Sequence, residues 1–225
     1  MIGLRGALAI LVKDLRIELR TLEVVLATAL FALLTVVLAA FAFGLNTAAG
    51  SDAAPGVLWI AIAFGGILAL NRTFLRERDL GVFTAVLMSP LPRSALFLGK
   101  TLGVLVFLLA VEAILVPIVE LLFHAPLLAN LGALAPILLL GTLGYAAAGT
   151  LFAAMTVRTR LKDLLLGVVL FPLVSPALIA SIKAMSAVLA GDGLAGAGGY
   201  LRLLGAFDIL FVAGGLWLFG ALFED

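Results

Sequence analysis

Long apolar stretches separated by short polar segments make up most of this chain. A transmembrane helix needs about 20 apolar residues to cross the roughly 30 Å hydrocarbon core of a bilayer, and six stretches approach or exceed that length. The pattern therefore predicts an all-α integral membrane protein with six transmembrane helices. The predicted spans are residues 24–45, 55–70, 101–123, 134–157, 164–182 and 203–223.

The segment before the first span has a helical rather than a continuous apolar pattern. Leucines recur there at spacings of three and four, whereas Lys13, Arg16 and Arg20 fall on the opposing side. A helix with such faces lies in the plane of the membrane. We expect residues 3–22 to form an interfacial amphipathic helix, either as an anchor or as part of the packing of the bundle. The leucines are Leu4, Leu8, Leu11, Leu15, Leu19 and Leu22.

Composition agrees with the membrane assignment. Of 225 residues, 64% are hydrophobic and 12% are charged, whereas soluble domains have roughly 25% charged residues. The mean hydropathy is +1.31. The chain has no cysteine, which excludes disulfides, thiolate metal sites and cysteine nucleophiles. No internal repeat or second domain is evident, so residues 1–225 are predicted to form one transmembrane domain.

The distribution of basic residues predicts the orientation. When successive loops are assigned to alternate sides of the membrane, twelve of the fourteen Lys and Arg residues lie on one side, and only Lys183 and Arg202 lie on the other. Short positive loops stay in the cytoplasm, so both chain ends are predicted to be cytoplasmic. Lys100 is then expected to be an interfacial anchor with its ammonium group among the lipid headgroups.

The predicted cytoplasmic segment 70–94, LNRTFLRERDLGVFTAVLMSPLPRS, is too polar to enter lipid in its first half and too apolar afterwards for a free linker. A short helix with one apolar face would bury that face against a partner. Segment 71–94 is therefore predicted to couple the spans to a cytoplasmic partner, the alternative being a solvated connector. The candidate coupling residues are Arg72, Phe74, Arg76, Glu77, Arg78, Asp79, Gly81, Phe83, Pro90 and Pro92.

A phosphate-binding loop is not predicted, although residues 89–101 end in Gly-Lys-Thr. The Walker pattern needs a glycine where this chain has Ser94, and an apolar run fills the place of the flexible loop. We therefore expect no nucleotide site and no enzymatic activity in this chain itself.

Acidic residues inside the predicted spans are the other candidate site. Glu112 and Glu120 lie on one broad side of the third span, and a packing role and a transport role both remain open for Glu112. Glu120 is spaced to meet His124, the single histidine, which we interpret as an interfacial residue rather than a metal ligand. Asp208 is expected near the outer interface, and the glycine-rich segment 190–200 is expected to be a mobile outer loop.

Two stretches carry a resemblance to a known family. Residues 55–100 include Pro-Gly before Trp59, an acidic and basic cluster ending at Asp79, Gly81, and the Pro-Leu-Pro turn that ends at Pro92. Together with residues 138–181, this order resembles the haem exporter protein B (CcmB) family of membrane permeases. Asn71 departs from the pattern, since family members often carry Glu there.

The resemblance implies a type-2 ABC exporter permease of the bacterial inner membrane. It implies a separate ATPase, haem exporter protein A, which binds ATP-Mg. It also implies the haem-handling partners haem exporter proteins C and D, and a haem chaperone, haem exporter protein E. Two permease copies per complex are expected, and no nucleic-acid partner. Haem itself is a possible cargo; alternatively, ATP hydrolysis releases the haem-loaded chaperone from haem exporter protein C.

Two other functions fit the residues. A type-2 ABC permease for another lipid or drug would share every physical feature described above. A proton-coupled secondary transporter using Glu112 and Glu120 is a further alternative, although the chain shows no inverted halves with paired broken helices.

Overall fold

The computed structural model describes residues 2–43, 48–79, 92–156 and 162–221. Within these ranges the chain is helical and contains no β-strand. A π-helical turn, Val188–Asp192, joins the last two helices. The helices are α1 (Ile2–Thr21), α2 (Glu23–Phe43), α3 (Ala48–Asp79), α4 (Arg93–Phe123), α5 (Leu131–Thr156), α6 (Lys162–Ala187) and α7 (Gly193–Ala221).

The helices after α1 are apolar and long enough to cross a membrane. Among the described residues, five continuous stretches meet the length and hydropathy of a span, and the fifth runs through α6, the π-helical turn and α7. This confirms the prediction of an all-α integral membrane protein. The stretches are Glu23–Phe43, Ala49–Asn71, Arg93–Phe123, Leu131–Met155 and Gly167–Phe219.

The two sides of α2 show how the sequence orients a helix in lipid. Small and β-branched residues recur every fourth position on its buried side, at Val24, Thr28, Ala32, Val36 and Ala40. Leucines occupy the exposed side, at Leu26, Leu30, Leu34 and Leu38. Small residues let the backbone of α2 approach α3, while leucines face the hydrocarbon.

Trp59 on α3 lies at the centre of the bundle and is fully buried. Its indole Nε1 donates a hydrogen bond to Sδ of Met185 on α6, at 3.0 Å. Gly141 of α5 faces this indole, and a Cβ atom at that position would overlap the ring. On the same helix, Tyr145 donates its hydroxyl to the Ala63 carbonyl of α3, at 2.7 Å. Gly141 therefore lets α5 pack closely against α3 at this point.

The structure reduces the predicted loop at 190–200 to a short kink around Gly191 and places helix from Gly193 onwards. The π-helical turn ends at Asp192, and α7 begins at Gly193, ten residues before the predicted start of the span. Gly191 and Gly193 have φ values of 97° and 60°, so the chain reverses direction over this short interval. The prediction of a loop is wrong for residues 194–200, because glycine content was taken as a sign of irregular structure, although glycine is more frequent in transmembrane helices than in soluble ones.

Candidate functional site

Helix α3 is longer than a bilayer requires. Its 32 residues extend about 48 Å at 1.5 Å per residue, about 18 Å more than the hydrocarbon core. The apolar sequence of α3 ends at Leu70 and polar residues begin at Asn71, while the helix continues to Asp79. That extension contains the backbone of six candidate coupling residues, Arg72, Phe74, Arg76, Glu77, Arg78 and Asp79.

The rest of the candidate coupling segment is described only at its end. Gly81, Phe83 and Pro90 lie outside the described residues. Pro92 has extended backbone angles, φ −62° and ψ 137°, and immediately precedes α4. A Cβ atom placed on Gly3 of α1 would lie 3.6 Å from the Pro92 ring, so the start of α1 is beside the end of this segment.

A buried ion pair joins α1 to α4. The Lys100 ammonium lies 2.8 Å from Oδ2 of Asp14, and the Lys100 side chain is only 1% exposed. The other Asp14 oxygen, Oδ1, is 2.9 Å from the Lys13 ammonium. The prediction that Lys100 extends into the headgroups is wrong, because α1 covers this part of α4 and supplies a carboxylate there.

Glu18, one turn further along α1, caps the next helix. Its buried Oε1 accepts backbone hydrogen bonds from Val24 at 2.7 Å and Val25 at 2.9 Å. The first N–H groups of α2 have no partner within their own helix, and a carboxylate there also favourably opposes the helix dipole. Leu22, with φ 50°, makes the turn between the two helices.

Helix α1 therefore has three faces. One packs on α4 through Ala7, Ile10 and Asp14. The second is apolar and exposed, with Leu4 at 66% and Leu19 at 75%. The third carries the exposed arginines Arg5, Arg16 and Arg20. Of the two roles open for α1, the structure supports packing, and it leaves an apolar stripe for membrane contact.

Glu112 is buried inside the bundle, at 2% exposure. Thr142 on α5 donates its hydroxyl to Oε1 of Glu112. Oε2 is also buried and has no hydrogen-bond partner among the described residues. The contact with Thr142 supports a packing role for Glu112, and a transport role stays a prediction.

Asp208 lies in the middle of α7, about 22 Å from its start at Gly193 and about 20 Å from its end. The expected position near the outer interface stays a prediction, although α7 begins ten residues before the predicted span. The carboxyl is buried, and neither of its oxygens has a hydrogen-bond partner in the described structure. It faces α5 at Gly144, where a Cβ atom would lie 2.5 Å from Oδ1.

Glu120 and His124 do not pair through their side chains. Oε2 of Glu120 accepts the backbone N–H of Leu128 at 2.5 Å, while the Glu120 carbonyl accepts the backbone N–H of His124 at 2.8 Å. His124 has φ 55° and ends α4 in a left-handed conformation. Glu120 thus orders the connection from α4 to α5, a role that the spacing alone did not indicate. Within the described ranges, no group of three His, Asp or Glu side chains is arranged to hold a metal ion.

Comparisons with known proteins identify the family. The CcmB protein family model matches residues 5–221, nearly the whole chain. The chain belongs to the CcmB family. It is 32% identical to Heme exporter protein B of Bradyrhizobium diazoefficiens, over 81% of this chain and 82% of that protein. The Heme exporter protein B of Haemophilus influenzae is also 32% identical, over 90% of both chains. That of Paracoccus denitrificans is 31% identical, over 81% of this chain and 84% of the relative.

Sequence reasoning missed the two acids that organise this CcmB-family chain at its N-terminus. Asp14 and Glu18 lie one turn apart on the same face of α1 as Ala7, among residues otherwise assigned to a basic amphipathic helix. A carboxylate on the small-residue face of such a helix indicates a contact with another part of the protein, because that face packs against protein. The partner of Asp14 could not be identified in this way, since Lys100 is 86 residues away.

Proposed function

We propose that this chain is the membrane permease of an ATP-driven complex for cytochrome c maturation, and that its segment 71–94 contacts a separate ATPase. Membership of the CcmB family and the name Heme exporter protein B of its relatives support the haem-related role. The observation that supports the coupling is the continuation of helix α3 to Asp79, beyond the apolar sequence that ends at Leu70.

The helices next to this segment form a route for movement into the bundle. Segment 71–94 continues directly from α3 into α4, so a force on it acts on both helices. The start of α1 lies beside Pro92, and Asp14 binds Lys100 seven residues after the start of α4. Through Glu18, α1 also holds the first turn of α2. A displacement caused by the ATPase therefore moves α1 to α4 together.

The proposal includes an assembly and an orientation. The chain has six spans and a type-2 ABC permease fold, both chain ends are cytoplasmic, and α1 lies at the inner surface of the bacterial inner membrane. Two permease copies pair with two copies of the ATPase, haem exporter protein A, and associate with haem exporter proteins C and D and the haem chaperone, haem exporter protein E. Homo-oligomers with two-fold symmetry are the commonest arrangement, which supports two copies.

Within this complex, we favour release of the haem-loaded chaperone from haem exporter protein C over passage of haem through the spans. Haem carries two propionate carboxylates, and burying a charge without a countercharge is costly. The buried ionisable groups Glu112 and Asp208 are acids and supply no such countercharge. The buried Lys100 is already bound to Asp14.

Substitutions in the coupling segment test the proposal in cells. Gly81→Asp combined with Phe83→Ala is expected to lower the yield of c-type cytochromes at least about tenfold, a change of about 1.4 kcal/mol in coupling. The haem-loaded chaperone should accumulate, because loading precedes the release step. Leu121→Ala is the matched control, since this exposed leucine lies at the opposite end of α4.

Each outcome bears on a different part of the proposal. Normal cytochrome yield in the double variant, with the chain present in the membrane at its usual level, would contradict coupling through this segment. Loss of cytochromes without any haem-loaded chaperone would contradict the release mechanism and favour passage of haem.

A further inference from the structure

A lateral groove between α4 and α5 opens on the outside of the bundle. Its volume is about 360 Å³, within the range of pockets that hold small molecules. Exposed residues at Ala113, Pro117, Leu131 and Ala135 form its rim, so it faces the membrane rather than the interior of the protein. The lining is apolar except for Glu112.

Two polar features distinguish this groove from an ordinary lipid-facing depression. Glu112 forms part of its buried wall, and the Oε2 atom of this side chain has no hydrogen-bond partner in the described structure. Pro117, also in the lining, has no N–H to donate to the Ala113 carbonyl one turn earlier. The wall of this otherwise apolar space therefore includes a carboxyl group with one oxygen that has no partner among the described residues.

We propose that the groove binds a lipid-soluble hydroxyl compound, a phenol or an alcohol. Its hydroxyl hydrogen-bonds Glu112, and its apolar body lies between α4 and α5. A hydroxyl both donates and accepts a hydrogen bond, so it matches the second carboxyl oxygen of Glu112 whether or not that carboxyl is ionised. Thr142 supports this arrangement because its hydrogen bond fixes the other oxygen, Oε1.

The dimensions of the groove favour a small molecule over a partner helix. Its lining covers residues 109–117 of α4, about 12 Å of helix, whereas a transmembrane helix packs along a span of about 30 Å. The lining contains no His, Met or Cys to bind haem iron, and no basic side chain to pair with a propionate. The inference therefore does not depend on the proposed role in cytochrome c maturation.

Photolabelling of the purified full-length chain in phosphatidylcholine nanodiscs tests the proposal. The probe is a phenol that carries a diazirine and a hexyl chain, and its methyl ether is the matched compound without a donor. We expect the phenol to label groove residues about tenfold more than the ether, as the loss of one buried hydrogen bond predicts. The labelled residues are identified by mass spectrometry of peptides.

Variants locate the site. Ala135→Phe fills the groove and should reduce labelling of its residues at least about tenfold, whereas Ala110→Phe, at an exposed alanine of α4 outside the lining, should leave it unchanged. Glu112→Leu should make labelling by the phenol and by the ether equal. If Glu112→Leu does not fold, the pair of phenylalanine variants still decides the question.

Three results would overturn the proposal. The first is equal labelling of the wild-type groove by the phenol and the ether. The second is labelling that persists in Ala135→Phe. The third is a cross-link from the groove to another membrane protein in native membranes, because a partner helix would then be the occupant.

Discussion

Helix α4 holds two buried charged residues in different ways along its length. Near its start, Lys100 lies 2.8 Å from an opposite charge, Asp14 of α1. Nineteen residues after the start of the helix, Glu112 meets only the hydroxyl of Thr142. A countercharge fixes a partner element in one position, whereas a hydroxyl contact holds the carboxyl without requiring it to be charged. We infer that α1 and α4 move as one unit at the predicted coupling end, and that the contact of α4 with α5 is easier to change.

The largest change in the free energy of unfolding is expected for Asp14→Leu. This change removes the carboxylate that binds the buried Lys100, and breaking a buried ion pair from one side costs about 3–5 kcal/mol. We expect a loss of that size in the free energy of unfolding, measured in bicelles, together with increased proteolysis of α1. Lys100→Met should cost less, because Asp14 still has Lys13 at 2.9 Å. Equal losses in the two variants would contradict this account of the pair.

A smaller loss of stability is expected for a substitution at the contact between α5 and α7. Gly144→Val places side-chain atoms against Oδ1 of Asp208 and the ring of Phe207, and overpacking of this kind costs about 1–3 kcal/mol. Gly132→Val is the matched control on α5, since no described atom lies within 4 Å of a Cβ atom there. A thermal unfolding midpoint that falls equally in both variants would show that Gly144 is not a close contact.

The smallest change in the free energy of unfolding is expected for Glu112→Gln. The amide oxygen of Gln still accepts the hydrogen bond from Thr142, so the free energy of unfolding should change by less than about 0.6 kcal/mol, the average for such bonds in membranes. Cytochrome c maturation should be retained if Glu112 serves packing. Complete loss of maturation with a folded protein would instead assign Glu112 to transport.

The sequence was sufficient for local features and insufficient for partners far apart along the chain. The apolar stripe of α1 follows from helical periodicity, and Leu4 and Leu19 of that stripe are exposed in the structure. Lys100 was misassigned because the residue that neutralises it lies on another helix, and no local pattern indicates that distance. The start of α7 was placed too late because the glycines near Gly193 were interpreted as a loop, although a bilayer forces the backbone to satisfy its own hydrogen bonds.

The coupling segment shows a different limit. Its charge mixture and its two prolines indicated an element outside the bilayer, and the length of α3 agrees with that position for residues up to Asp79. What the segment binds depends on a second protein, and the chain itself supplies only one surface of that contact. The ATPase contact is therefore a proposal that only the assembled complex can test.

Site-specific photocrosslinking in the native complex tests the central claim most directly. A benzoylphenylalanine at position 83 should cross-link to the ATPase, and the same residue at position 121, at the opposite end of α4, should not. Cross-links from position 121 alone, or from neither position while the complex remains assembled, would contradict coupling through segment 71–94.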